Sequence, residues 1–175
     1  QVSFIKAGIY YADWVTTVSP TYAENIQTPE YGCGLDGLLK KQNLTGILNG
    51  IDIEEWNPET DEYLNRNYNA NNLQFKIKNT QALRTKLNLQ ASKQTPLIGM
   101  VTRLTEQKGI DLVMPVIQNI IKTGAQMAIL GSGDKTLEAK LQKLAELNPR
   151  KLSVTIGYDE ELSHQIEAGS NIFLM

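Results

Sequence analysis

Residues 97–134, LIGMVTRLTEQKGIDLVMPVIQNIIKTGAQMAILGSGD, decide the fold of this chain. The short apolar run at 97–102 predicts a buried strand, because such strands are brief and continuously apolar. Branched apolar residues then recur at helical spacing through 110–121, and a second apolar run follows at 127–130. The order strand, helix, strand is typical of a right-handed crossover between two parallel strands.

The same alternation continues towards the last residue. Asp134 is a residue type that caps helix N-termini, and leucines follow it at helical spacing. Further apolar runs predict strands at 152–156 and 171–175, with a helix at 160–168 between them. Four apolar runs that alternate with three helices predict an α/β fold, with a four-stranded parallel half-sheet over 97–175.

Residues 1–50 follow a different pattern, which predicts a separate unit. Helices are expected at 4–12 and around Leu38, and short strands at 14–18 and 45–48. The stretch after this unit, from Asn57 to Lys78, is rich in asparagine and lacks periodicity over most of its length. It is therefore interpreted as a loop or interdomain connection.

Composition limits the classes of function. Lys plus Arg number 17 and Asp plus Glu 19, so the formal net charge of −2 gives no electrostatic case for nucleic acid or an anionic membrane. The single cysteine, Cys33, excludes an internal disulfide framework and suits a reducing compartment. No apolar run predicts a membrane span or a signal peptide. Because the chain opens on Gln1 and closes on an apolar run, we expect it to be a fragment.

Candidate binding loops follow the strands of the predicted half-sheet, where ligands of open α/β sheets collect. The first loop, 102–109, carries Arg103 and Lys108 just before a predicted helix N-terminus. Two cations beside a helix dipole are suited to a diphosphate. The alternative is that both are solvated loop residues.

The next two loops are also suggestive. Gly131-Ser132-Gly133 could let the backbone approach a ligand closely. A tight strand-to-helix turn needs the same glycines, and the turn is the favoured interpretation. Tyr158 follows the third strand and could lie flat against a base. A half-buried tyrosine with a hydrogen-bonded hydroxyl is equally compatible with the sequence.

Other polar residues form no recognisable site in the sequence. His164 is interpreted as a surface or packing residue, and no close His/Cys cluster predicts a metal site. The carboxylates at 54–55 and 159–161 do not have the spacing of an acid–base pair. Asn49-Gly50 reads first as a turn. Trp14 and Trp56 are interpreted as packing residues.

Several ordered motifs resemble the ADP-glucose-dependent glycogen synthases and bacterial, cyanobacterial-like starch synthases. They include the runs KAGIYYAD, TVSPTYA, GLDGLL, GILNGID and WNPETD in the first part of the chain, and TRLTEQKG, LGSGD and IGY in the second. The similarity covers nearly the whole chain. It implies an internal fragment of a GT-B type glycosyltransferase, which has two Rossmann-like domains. On this basis residues 1–56 end the N-terminal, glucan-acceptor domain, 57–95 connect the domains, and 96–175 begin the nucleotide-sugar-binding domain.

The resemblance also implies an activity. Members of this family transfer glucose from ADP-glucose to the non-reducing end of an α-1,4-glucan with retention of configuration, and they need no metal or other cofactor. Arg103 and Lys108 would hold the diphosphate and stabilise charge on the leaving ADP. Tyr158 would lie beside the adenine, Asn49 near the glucose or phosphates, and Gly131, Ser132 and Gly133 would contribute to substrate binding. The expected partners are ADP-glucose and glucan, without nucleic acid or membrane.

The resemblance further implies a cytoplasmic protein, in the bacterial cytosol or the plastid stroma of a eukaryote. Two other classes of protein are alternatives to this family. A nucleotide-dependent oxidoreductase or epimerase should show G-x-G-x-x-G after its first strand and an acidic residue ending its second, and neither is present. A non-catalytic nucleotide-binding fragment, or another nucleotide-sugar enzyme, remains compatible with the sequence.

Overall fold

The computed structural model describes residues 3–92 and 94–175. It divides the chain into two compact units, which are described separately. The first unit is Gln1–Asp52 and the second is Ile53–Met175. Residues 1–50, for which the sequence predicts a separate unit, all fall within the first.

The first unit is a small α/β arrangement around two parallel strands. Val15 pairs with Leu44 and Val18 with Ile47. The elements are α1 (Phe4–Tyr11), β1 (Val15–Val18), α2 (Pro20–Asn25), α3 (Asp36–Leu39) and β2 (Leu44–Ile47). Gly46 lets β2 approach the start of α2, because a Cβ there would overlap the backbone of Ser19 and Pro20.

The second unit is built on a four-stranded parallel sheet in the order β5-β4-β3-β6. Its strands are β3 (Leu97–Val101), β4 (Gln126–Gly131), β5 (Leu152–Ile156) and β6 (Ile172–Phe173), and its helices are α4 (Lys76–Lys86), α5 (Ile110–Lys122), α6 (Lys135–Leu147) and α7 (Glu160–Gly169). The predicted parallel half-sheet and its strand–helix alternation are confirmed.

The core of the second unit lies on both faces of this sheet. All six residues of β4 are buried. On one face Ile117 of α5 and Leu141 of α6 pack with Met127 and Ile129. On the other, Leu83 and Ile166, from α4 and α7, pack with Leu97, Ala128 and Leu130. Two apolar faces explain why the strands are continuously apolar rather than alternating.

The segment 57–95 differs from the predicted interdomain connection. The boundary between units falls at 52/53, and α4 packs against α7 within the second unit. Arg84 of α4 is 4% exposed and donates to Gln126 Oε1 at 2.7 Å and to the carbonyls of Ser92 and Thr95. Periodicity missed this helix because several of its buried residues are polar and are held by hydrogen bonds.

Within residues 3–92 and 94–175, no helix is both long and apolar enough to cross a membrane.

Candidate functional site

A cleft of about 360 Å³ opens at the carboxyl ends of β3, β4 and β5. All three predicted binding loops, which follow β3, β4 and β5, contribute residues to this cleft. The lining residues are Trp56, Val101, Thr102, Arg103, Leu130, Gly131, Ser132, Gly157, Tyr158, Asp159, Ser163 and Glu167. The structure therefore brings Arg103, Gly131, Ser132 and Tyr158 to one site. This is the position at which open parallel sheets bind ligands.

The glycines of the second loop are required by chain packing. A Cβ on Gly131 would overlap the carbonyl oxygen of Thr102, and one on Gly133 the carbonyl of Leu104. Leu104 N donates to Ser132 O at 2.9 Å, and Asp134 N donates to Leu104 O at 2.9 Å. The loops after β3 and β4 are thus bonded to each other, and the turn interpretation of these glycines accounts for both.

Acidic side chains of the protein occupy two of the three helix N-termini that follow these strands. Asp134 Oδ1 accepts from Thr136 N at 2.8 Å and Leu137 N at 3.0 Å at the start of α6. Asp159 Oδ1 accepts from Leu162 N at 2.9 Å at the start of α7. By contrast, α5 begins after Gly109 without a side-chain cap. Its N-terminus keeps its dipole available to an anion.

The pKa values of two carboxyl groups of the second unit, Glu138 and the cleft-lining Glu167, are shifted in opposite directions by their surroundings. The amide of Gly133 donates to Glu138 at 2.8 Å and Lys135 pairs with the other oxygen, which together lower the pKa of Glu138. Burial raises the pKa of Glu167, against a smaller lowering by His164. Glu138 therefore serves as a fixed anion that anchors the loop after β4.

The two predicted phosphate-binding cations occupy different positions. Arg103 lines the cleft, and its Nη2 donates to Gln107 Oε1 at 3.3 Å. Lys108 is exposed in the short 3₁₀ turn Glu106–Lys108, directly before α5, and does not line the cleft. Lys108 lies next to the N-cap of the uncapped helix, whereas Arg103 lines the cavity. Their roles stay predictions.

Two aromatic side chains border the cleft. Tyr158 is 85% exposed, so its ring face is open to a ligand rather than half-buried. Trp56 is 41% exposed and was interpreted from the sequence as a packing residue. Trp56 does pack, since its ring is stacked on that of His164 with the ring centroids 3.7 Å apart. It also lines the cleft.

Asn49 and Gly133 are not among the residues that line this cleft. Asn49 is an exposed residue of the first unit, beyond the end of β2. Gly133 is committed to the turn, since its amide is bonded to Glu138. A substrate-binding role for either residue stays a prediction.

Sequence reasoning missed a polar cluster behind Trp56. His164 Nδ1 lies 2.8 Å from Asp61 Oδ2, and both side chains are almost fully buried. The ring of Tyr63 contacts the same imidazole edge-on at 4.9 Å. Asp61 and His164 lie 103 residues apart, so no local spacing could have indicated the pair.

Comparisons with known proteins identify relatives over the whole chain. The family described as "Starch synthase catalytic domain" matches residues 1–41. Glycogen synthase 1 of Methylococcus capsulatus is 50% identical over 100% of this chain and 36% of its own length. Glycogen synthase of Cellvibrio japonicus is 49% identical over 100% of this chain and 37% of its own length. The predicted resemblance to these synthases is confirmed, and the chain spans about a third of each relative.

Solved structures agree with this result. The catalytic domain of starch synthase IV from Arabidopsis thaliana, bound to ADP and acarbose, matches with a TM-score of 0.89 and 39% identity over 97% of this chain and 36% of that one. TarM matches with a TM-score of 0.52 at 14% identity, over 97% of this chain and 26% of that one, which shows likeness of fold alone. The predicted GT-B type α/β fold is confirmed for the part of the architecture that this chain spans.

Proposed function

We propose that this chain, a homologue of about a third of a glycogen synthase, forms part of a retaining glucosyltransferase. The enzyme transfers glucose from ADP-glucose to the non-reducing end of an α-1,4-glucan. The observation that carries the proposal is the match, at a TM-score of 0.89, to a starch synthase catalytic domain bound to ADP and acarbose. Relatives that are about 50% identical and are named glycogen synthases support it.

In this proposal the cleft of the second unit receives the nucleotide part of the donor. Tyr158 offers an open aromatic face on which the adenine stacks. Gly131 and Ser132 bring the backbone after β4 to the edge of the cleft. Arg103, which lines the cleft, holds the diphosphate between itself and the uncapped start of α5.

The transfer step requires stabilisation of the charge that develops on the departing ADP. Arg103 supplies a planar fork that matches phosphate oxygens, and Lys108 a mobile point charge one residue before the N-cap of α5. Fixed cations of this kind act more strongly on the transition state than on the ground state. Asn49, in the first unit, is assigned to the glucose or phosphates of the donor.

The proposal needs no metal or cofactor in the transfer itself. Its partners are ADP-glucose and an α-1,4-glucan. A cytoplasmic site of action is part of the proposal, since one exposed cysteine suits a reducing compartment.

The test uses a chimeric synthase: glycogen synthase 1 of Methylococcus capsulatus in which the matching segment is replaced by this chain. Glucose incorporation into glycogen from labelled ADP-glucose is measured. We expect activity in the chimera, and a loss of about 10²–10³-fold in kcat for Arg103→Ala and for Lys108→Ala, since each removes one charge-stabilising donor.

Lys143→Ala is the matched control, because Lys143 is an exposed cation of α6 away from the cleft. It should leave kcat unchanged. If Arg103→Ala and Lys108→Ala retained the activity of the control while the chimera was active, both cations would be solvated loop residues. A folded chimera without any transferase activity would contradict the proposed function itself.

A further inference from the structure

The buried pair formed by Asp61 and His164 has the arrangement of a metal ligand with its supporting carboxylate. His164 is 2% exposed, and its Nδ1 lies 2.8 Å from Asp61 Oδ2. The other oxygen of Asp61 accepts from the amide of Tyr63 at 2.9 Å, which fixes the carboxylate. Histidines that bind metals commonly donate their second ring N–H to such a carboxylate, which fixes the tautomer and the orientation of the ring.

The other ring nitrogen, His164 Nε2, is buried and has no hydrogen-bond partner among residues 3–92 and 94–175. A buried polar atom without a hydrogen-bond partner carries a desolvation penalty, and a bound ion is one arrangement that removes it. With Asp61 accepting from Nδ1–H, Nε2 of the neutral ring holds the lone pair that can bind a cation.

Two carboxylates complete the set. One oxygen each of Glu55 and Glu160 and a ring nitrogen of His164 all lie within 4.8 Å of one another. Glu160 opens α7 and His164 follows four residues later, so both face the same side of that helix. Glu55 comes from the segment next to Trp56. The side chains of Glu55 and Glu160 are exposed, whereas that of His164 is buried.

We propose that His164, Glu55 and Glu160 bind one Zn²⁺ ion, with Asp61 as the positioning residue. Imidazole nitrogen and carboxylate oxygen are both zinc ligands, at about 2.0–2.2 Å, and three protein ligands leave a fourth position for water. Binding draws the three ligand atoms closer together than they are in this structure. The sequence did not predict the site because its ligands come from two segments more than a hundred residues apart.

The ion would join the start of the second unit to α7. Trp56 is the residue after Glu55 and stacks on the imidazole that binds the ion. Trp56 also lines the cleft, together with Asp159, the N-cap of α7, and with Ser163 and Glu167 of that helix. A bound ion would hold this wall in place, so the role of the site is structural and independent of the transfer chemistry proposed above.

The competing explanation is that the imidazole itself becomes the cation. A protonated His164 would face the same carboxylates and satisfy Nε2 without a metal. The two explanations differ in stoichiometric metal binding, which only the first requires.

The test measures Zn²⁺ binding by isothermal titration calorimetry and by metal analysis after dialysis. It uses the full 175-residue chain with Cys33→Ser as background, which removes the one thiol that could bind zinc elsewhere. We expect one Zn²⁺ per chain. Glu55→Gln and Glu160→Gln should each weaken binding by at least about tenfold, and Asp61→Asn by about 10–100-fold through the orientation of His164.

Glu146→Gln is the matched control, because it removes an exposed carboxylate from α6. It should leave the affinity unchanged. Both ligand variants alter exposed side chains, so folding, checked by circular dichroism, should be retained even if Asp61→Asn fails to fold. Absence of binding to a folded background chain would overturn the proposal, as would binding that Glu55→Gln and Glu160→Gln leave unchanged. Neither result would affect the proposed transferase.

Discussion

The two units of the chain bury their apolar side chains to very different degrees. Within its described residues, the first unit has only Ala23 and Leu39 as buried hydrophobic residues, and it leaves Phe4 86%, Tyr11 81% and Leu48 72% exposed. The second unit has apolar clusters on both faces of its sheet. Large exposed apolar patches mark interaction surfaces or ligand-binding grooves. The second unit holds an apolar core of its own, whereas the first buries little apolar surface.

The same contrast applies to the candidate chemistry. The described cleft and most predicted donor-binding residues belong to the second unit, while Asn49 belongs to the first.

The isolated 175-residue chain should not elongate glucan. Holding donor and acceptor in the reactive geometry can account for about 7–11 kcal/mol of a barrier, and a chain that spans about a third of its relatives cannot supply both sites. Labelled ADP-glucose and glycogen are incubated with the purified chain, beside the chimeric synthase. Sustained incorporation by the chain alone would show that its two units suffice.

A core substitution in the second unit should destabilise it strongly. Leu141 of α6 is 1% exposed, so Leu141→Ala should lower the free energy of unfolding by about 2–5 kcal/mol. Leu147→Ala, in the last turn of the same helix, is the control: Leu147 is 67% exposed, and its loss should cost within about 0.5 kcal/mol. Urea unfolding followed by circular dichroism compares them. Equal losses would mean that the second unit lacks a tightly packed core.

Tyr158 should contribute to binding rather than to the chemical step. Stacking of a base on an aromatic ring is worth about 1–3 kcal/mol, so Tyr158→Ala should raise KM for ADP-glucose in the chimeric synthase by about tenfold or more. Tyr158→Phe keeps the ring and should remain near the unsubstituted value. Steady-state kinetics separates KM from kcat. A fall in kcat with KM unchanged would place Tyr158 in the transfer step instead.

Glu138 should make the stability of the second unit depend modestly on acid. The amide of Gly133 and the side chain of Lys135 hold the pKa of Glu138 below its ordinary value. Between the pKa of Glu138 in the folded chain and its pKa in the unfolded chain, the unfolded chain binds more protons. The contribution of Glu138 to the free energy of unfolding is therefore complete above the unfolded-state pKa, and it is lost as the pH falls through the folded-state pKa.

Urea midpoints from about pH 6 to about pH 3 should therefore fall more for the unsubstituted chain than for Glu138→Gln. Glu146→Gln is again the control, and should follow the unsubstituted chain. Parallel curves for Glu138→Gln and the unsubstituted chain would show that the loop after β4 does not rely on this carboxylate.

The sequence by itself determined the sheet of the second unit. Its strands are apolar on both faces and its helices have one apolar face, so local periodicity indicated each element between Leu97 and Phe173 and their parallel order. The three loops of the cleft followed from that order, because the carboxyl ends of parallel strands meet at one edge. The sequence alone therefore placed Arg103 and Tyr158 at this edge.

Only the tertiary structure decided the part that precedes this sheet. The buried face of helix α4 includes the polar residues Arg84 and Asn79. The helix therefore lacks the periodic apolar residues from which it could have been predicted. The contact between Asp61 and His164 joins residues 103 apart, and whether a polar side chain is buried depends on partners that local sequence does not name. The sequence suggested that His164 is a surface or packing residue. Its burial and its hydrogen bond to the distant Asp61 are the reasons why His164 is instead proposed as a metal ligand.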